Sequence, residues 1–135
     1  MKENTIRVLI VPPNELAYEK DIPNTLEAMQ NTVGGMIEPF YYYDDVCLIC
    51  NEEGKVDRLP LSRAIRDENG NIVEAIAGTF FICEASGEHF VSLSPEKMEK
   101  YKKLFFMPEK FLLIKKQLYA VPYTPTPKTG RPHER

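Results

Sequence analysis

The sequence predicts an α+β fold: a single domain built on an antiparallel or mixed sheet of five or six strands. One helix, over about 24–33, lies on a face of that sheet, and a helix or helices follow over about 95–118. Three observations carry this expectation. At 135 residues the chain is long enough for one core and short for two. Short apolar runs bounded by Pro, Gly, Asn and Asp recur from the N-terminus to about residue 92, which is strand punctuation. Two segments depart from that pattern with helical spacing, each behind a capping residue.

In "TIRVLIVPP", Ile6, Val8 and Ile10 share one face and Leu9 and Val11 the other, so the first strand is expected in a central position. Pro12 and Pro13 end it, and "LAYEKDI" alternates as a second, hairpin-paired strand. In "IPNTLEAMQNTVGG", Asn24 is the expected N-cap, with Glu27 closing a capping box. Leu26, Met29 and Val33 form its core stripe, and Gly34 ends it in the left-handed conformation. Glycines that follow a helix cannot cradle a phosphate at its N-terminus.

"MIEPFYYYDDVCLICNEEG" reads as two strands meeting near Asp44-Asp45, then a polar turn with Gly54. "LPLSRAI" is read as a helical turn from Ser62, and Asn69-Gly70 as a hairpin signal. "VEAIAGTFFICEA" follows as a strand with a bulge or close approach at Gly78, and "HFVSL" as a shorter one. Ser94 caps the next helix, with Pro95 in its first turn and Met98, Tyr101 and Phe105 inward. After Pro108, "PEKFLLIKKQLY" is expected to restart a helix, and 121–135 to be a mobile, Pro-rich tail.

The net charge of −3 conceals a division. Residues 1–92 hold 7 Lys+Arg against 16 Asp+Glu, a balance of −9, whereas 93–135 hold 10 against 4, or +6. The expected organisation is an acidic α+β body (1–92), a basic helical extension packed on it (93–120) and the tail (121–135). No apolar run approaches the roughly 20 residues of a membrane span. The short run Val8–Val11 is no signal-peptide core, so a cytoplasmic location is expected, without disulfides.

Cys47 and Cys50 form a Cys-x-x-Cys pair, and with Cys83 and His89 they supply a zinc-type ligand set. Against that reading, "VCLIC" is all strand former, and residues three apart on a strand face opposite ways. The favoured reading makes these cysteines small core hydrophobes; no cofactor is expected. A redox role would need a helix N-terminus to lower a thiol pKa, and none follows the pair. His89 sits at a loop-to-strand entry and His133 near the end of the tail, and neither has triad partners legible in sequence. The adjacent carboxylates Asp44-Asp45, Glu52-Glu53 and Asp67-Glu68 fall at turns. No catalytic residue is assigned.

Lys100, Lys102, Lys103, Lys115 and Lys116 would serve a nucleic-acid role, with tyrosines nearby to stack. Interleaved glutamates favour a plain solvent face instead. Pro122-Tyr-Thr-Pro125 fits the minimal PxxP pattern.

At "NTLEAMQNTVGGMIE", "CNEEGKVDRLPLSRAI" and "IAGTFFICE" the chain resembles a small bacterial and phage domain of unknown function found on phages, plasmids and conjugative transposons. The resemblance covers about residues 5–92. It implies no catalytic residues and an accessory or host-interaction role. It points to Asn51, Glu52, Gly54 and Arg63 as a shared surface site, to which Glu53 adds a second turn carboxylate. The functional expectation is therefore a non-enzymatic accessory protein of a mobile genetic element. Its acidic body would bind another protein, host or element encoded, with no membrane involved. A nucleic-acid accessory and a small metal protein or hydrolase are the alternatives.

Overall fold

The computed structural model describes residues 4–126. β1 (Thr5–Val11) is an interior strand of the main sheet, and its two apolar faces demand cover on both sides. β2 (Tyr18–Pro23) pairs with one edge of β1, with Ile6 opposite Ile22. α1 (Leu26–Val33) then crosses one face and returns the chain to β3 (Ile37–Tyr41) and β4 (Val46–Asn51), an antiparallel pair. β5 (Leu61–Arg66) and β6 (Ile72–Ala77) form a separate hairpin. β7 (Phe80–Ser86) inserts between β1 and β4, and β8 (His89–Val91) pairs with its far end. The main sheet is six-stranded and antiparallel in each of these pairings, in the order β2-β1-β7-β4-β3 with β8 beside β7. α2 (Pro95–Phe105) is followed by the hairpin β9 (Glu109–Ile114) and β10 (Gln117–Pro122). Among the described residues the fold is thus mostly β, ten strands in three antiparallel sheets with two helices, and the expectation of one sheet of five or six strands is met only in part, because two further two-stranded sheets stand beside the main one.

The two faces of the sheet bury different clusters. Ile6, Val8, Ile10, Cys47, Ile49, Phe81 and Cys83 pack beneath Met29 and Val33 of α1. Leu9, Val11, Val46, Leu48, Phe80 and Ile82 pack against Met98, Tyr101 and Phe105 of α2 and against Ile65 and Ile76 of the β5–β6 hairpin. α2 is therefore part of the body's core, not an appendage.

Five local expectations are corrected. Thr25, not Asn24, caps α1: its hydroxyl accepts the Ala28 amide, while Asn24 is buried and donates to the Phe90 carbonyl. Leu26 is more than half exposed and leaves the core stripe to Met29 and Val33. Residues 61–66 form β5 instead of a helical turn, because Asn69-Gly70 closes a hairpin with β6. The helix expected to reach about residue 118 stops at Phe105, and 109–122 is a hairpin turning on Lys115 and Lys116, both with positive φ. β10 takes Val121 and Pro122 from the expected tail, and the Tyr123 hydroxyl tethers the chain just past β10 by donating to Asn14. Residues 127–135, with His133, lie outside the described residues. No described helix is long and apolar enough to cross a membrane.

Candidate functional site

The candidate site lies between the free edge of the main sheet and the β5–β6 hairpin. One end is a hollow of about 290 Å³ lined by Glu38, Phe40, Cys50, Glu52, Lys55 and Glu74. The other is a hollow of about 270 Å³ lined by Phe40, Tyr41, Tyr43, Ile65, Arg66 and Val73. Phe40 lines both hollows, while Tyr41, three residues from Glu38 on β3 and opposite Cys47 in the register, turns its side chain to the α1 face.

The chemistry of the first end is acidic. Glu38 stands opposite Cys50 across the β3–β4 register, and Glu74 approaches from β6. Lys55 is ion-paired with Glu74, leaving three carboxylates facing one ammonium. Burial first, then the charges of Glu38, Cys47 and Glu74, push the Cys50 thiol up to about 12. At the second end, Tyr41 is 68% and Tyr43 57% exposed, while the Tyr42 ring is held edge-on against buried Tyr101. Arg66 is neutralised there by Glu109 at 3.0 Å.

The residues singled out in the sequence divide between surface and frame. Glu52 and Glu53 are exposed at the polar turn, and Glu52 lines the first hollow. Asn51 is buried and structural. Its Nδ2 donates to the Val33 carbonyl at 3.2 Å and its Oδ1 accepts the Glu53 amide at 2.8 Å, joining the turn to the end of α1. Gly54 is glycine because a Cβ would stand 2.8 Å from the Ala77 carbonyl oxygen. Arg63 is fully buried and takes no part in a surface patch. Burial pulls its pKa down to about 10.

The zinc-type ligand set does not converge. Cys47 and Cys83 are register partners beneath α1, Cys50 packs towards the opposite face, and His89 is exposed on β8. Burial pushes the Cys47 thiol up to about 11 and that of Cys83 higher still, the reverse of what a metal ligand or nucleophile needs. Among the described residues no three His, Cys, Asp or Glu side chains gather as a metal site.

Three of the helical lysines are committed to carboxylates: Lys100 to Asp44 at 3.0 Å, Lys102 to Glu19 at 3.2 Å and Lys103 to Glu99 at 3.6 Å. Lys115 and Lys116 instead occupy the β9–β10 turn, on a different element.

Glu38, Tyr41, Tyr43 and Glu74 were not singled out in the sequence. The available signal was "EPFYYYDD", where three successive tyrosines cannot all point into one core from a strand. Glu74 carried no local signal, because its role depends on where the β5–β6 hairpin lands.

The profile of a family described as Domain of unknown function (DUF3846) matches residues 6–106. No curated protein matches the chain, and no solved structure does. The matched span includes α2 and ends just before the β9–β10 hairpin, beyond the 5–92 expected from sequence.

Proposed function

The chain belongs to the DUF3846 family, and from that premise we propose a non-enzymatic accessory protein of a mobile genetic element that binds a basic host or element protein. The acidic hollow beside β3 is where a lysine or arginine side chain of that partner would sit. The observation that carries this reading is the convergence of Glu38, Glu52 and Glu74 over an apolar floor, with Lys55 as the countercharge. Carboxylates beside an apolar wall are less screened than isolated surface charges, so a cationic side chain gains both Coulomb attraction and stem burial there. The pairing of Lys100, Lys102 and Lys103 with carboxylates argues against the nucleic-acid alternative, since phosphate contact would have to break those pairs.

The test is binding of an unstructured lysine- and arginine-rich peptide to the wild-type chain and to Glu38→Gln/Glu52→Gln/Glu74→Gln. Binding should weaken as salt rises, survive removal of residues 127–135, and fall at least tenfold in the triple variant with its melting temperature unchanged. Salt-insensitive binding, or binding the triple variant retains, refutes the acidic-hollow reading.

A further inference from the structure

The β9–β10 hairpin lies just past residue 106, where the match to the family profile ends, and its outer face is uncovered. In its register Tyr119 stands opposite Leu112, Gln117 opposite Ile114 and Val121 opposite Lys110, so these six side chains share one face. Leu112, Ile114, Tyr119 and Val121 are all exposed there, whereas Phe111, Leu118 and Ala120 on the other face are half-buried. At the tip the second face opens as well: Leu113 is 73% exposed beside Ile114 at 51%. The end of the hairpin is thus apolar on both sides.

The free charges of this element are of one sign. Lys110 lies on the outer face near the Tyr123 ring, and Lys115 and Lys116 form the turn. Among the described residues none of the three makes an ion pair. The hairpin's one carboxylate, Glu109, is on the inner face and paired with Arg66. Lys116 also lines a hollow with Glu74, which Lys55 already pairs.

Size and charge decide among occupants. Two strands of six residues present about 20 Å by about 10 Å, roughly 200 Å², whereas a stable protein partner covers about 800 Å². A second copy stacked face to face would also bring the two lysine rims together. Nucleic acid would use the lysines and the Tyr119 ring but leave Leu112, Ile114 and Val121 without a complement. An anionic bilayer surface answers to both features, because headgroups meet the lysines and the acyl boundary surrounds an apolar tip from every side. The free edges of a two-stranded sheet keep unpaired amides and carbonyls, which hold it at that boundary and out of the hydrocarbon. The expectation of no membrane involvement rests on the lack of a spanning segment, and surface docking needs none.

We propose that the β9–β10 hairpin docks the protein on an anionic lipid surface, with Leu112, Leu113 and Ile114 inserted and Lys110, Lys115 and Lys116 among the headgroups. The field that draws in the hairpin turns the acidic body, at −9 over residues 1–92, away from the surface. Glu38, Glu52 and Glu74 take no part, so this reading and the acidic-hollow reading stand or fall separately.

Flotation of the full chain with vesicles of equal parts phosphatidylglycerol and phosphatidylcholine, and with vesicles of phosphatidylcholine alone, tests this. Binding should be at least about tenfold tighter to the anionic vesicles and weaken as salt rises. Lys115→Gln/Lys116→Gln should lower it at least about tenfold, at roughly fivefold per lysine. Leu112→Ser/Ile114→Ser should lower it as much, and both variants, at exposed positions, should melt no lower than wild type. The chain has no tryptophan, so Leu113→Trp reports depth, and its emission should shift to the blue with anionic vesicles only. Equal binding to both vesicle types, no binding to either, or a lysine variant that binds like wild type overturns the proposal. Binding that the serine variant retains, or an unshifted tryptophan, shows adsorption by charge alone and overturns insertion. Self-association that the serine variant abolishes makes the occupant a second copy and refutes the lipid assignment. Tighter binding of a single-stranded oligonucleotide than of vesicles, lost in the lysine variant, refutes it likewise.

Discussion

Arg63 on β5 donates from Nε to the carbonyl oxygen of Phe105, the last residue of α2, at 2.9 Å. The rest of its guanidinium is equally committed: Nη1 donates to Pro12 at 2.9 Å and Ser62 at 3.1 Å, and Nη2 to Glu15 at 2.8 Å and Phe106 at 3.3 Å. A planar fork with five N–H donors thus satisfies carbonyls of the β1–β2 turn and of the exit from α2. Those carbonyls end elements whose own ladders cannot use them, so the cation acts as a cap for two termini at once.

Arg63→Met should therefore unfold the protein far more easily, by about 3 kcal/mol or more, because the buried carbonyls of Pro12 and Phe105 lose their donors together, while that of Phe106 keeps the Ala17 amide. Arg63→Lys should recover only part of that, since an ammonium cannot reach the same set of acceptors. Chemical denaturation measures both. A loss below about 1 kcal/mol for the methionine variant would refute the clamp.

Asn51 makes a smaller test of the same kind. Its amide donates to the Val33 carbonyl near the negative end of α1. Asn51→Asp keeps the acceptor for the Glu53 amide but sets a carboxylate where a donor was, against the helix dipole. It should cost about 1–3 kcal/mol at neutral pH and cost less in acid, where the carboxyl regains a proton to donate. An equal cost in acid and at neutral pH would contradict this account.

The thiols predict how stability responds to alkali. Burial raises Cys47 to about 11 and Cys50 to about 12, from an ordinary value of 9.0. Between those limits the unfolded chain loses its thiol protons while the folded chain keeps them. Stability should accordingly be complete below about pH 9 and fall as pH rises, by up to about 1.4 kcal/mol per pH unit for each thiol. Cys47→Ala should shift the whole curve down through lost packing but make its alkaline limb shallower. Parallel limbs would show that the thiol does not ionise on unfolding.

How much of the fold was legible in the sequence depends on how local each cause is. β1 was legible as a central strand because its apolar residues occupy both faces, and Cys47 and Cys50 were legible as opposite-facing for the same periodic reason. Gly34 was legible as a helix stop because positive φ favours glycine locally. Arg63 was not: an arginine in a strand signals surface by default, and only the convergence of the ends of β1 and α2, 42 to 51 residues away, makes it a core residue. The acidic hollow depends likewise on β6 landing beside β3, a tertiary fact with no local signature.

The β9–β10 hairpin was the largest misreading, and its turn explains why. Lys115 and Lys116 sit at φ 50 and φ 69, with Ile114 opposite Gln117, so two lysines occupy a two-residue turn that ordinarily wants Asn-Gly. Positive φ costs a residue with a Cβ about 1–2 kcal/mol, and lysine has no short polar side chain to offset it locally. The hairpin is thus strained at its tip, while Ile114 and Leu113 beside it are largely exposed. Lys115→Asn/Lys116→Gly should relieve that strain without touching the body. Hydrogen exchange should then slow by about tenfold at amides paired across residues 109–122, with no change in β1, β4 or β7. The global melting temperature should move little, because α2 and the sheet are packed independently of the turn. Unchanged or faster exchange in the hairpin would mean that its contacts with the body, such as Arg66 to Glu109 and to the Ala120 carbonyl, hold it and that the turn does not limit its opening.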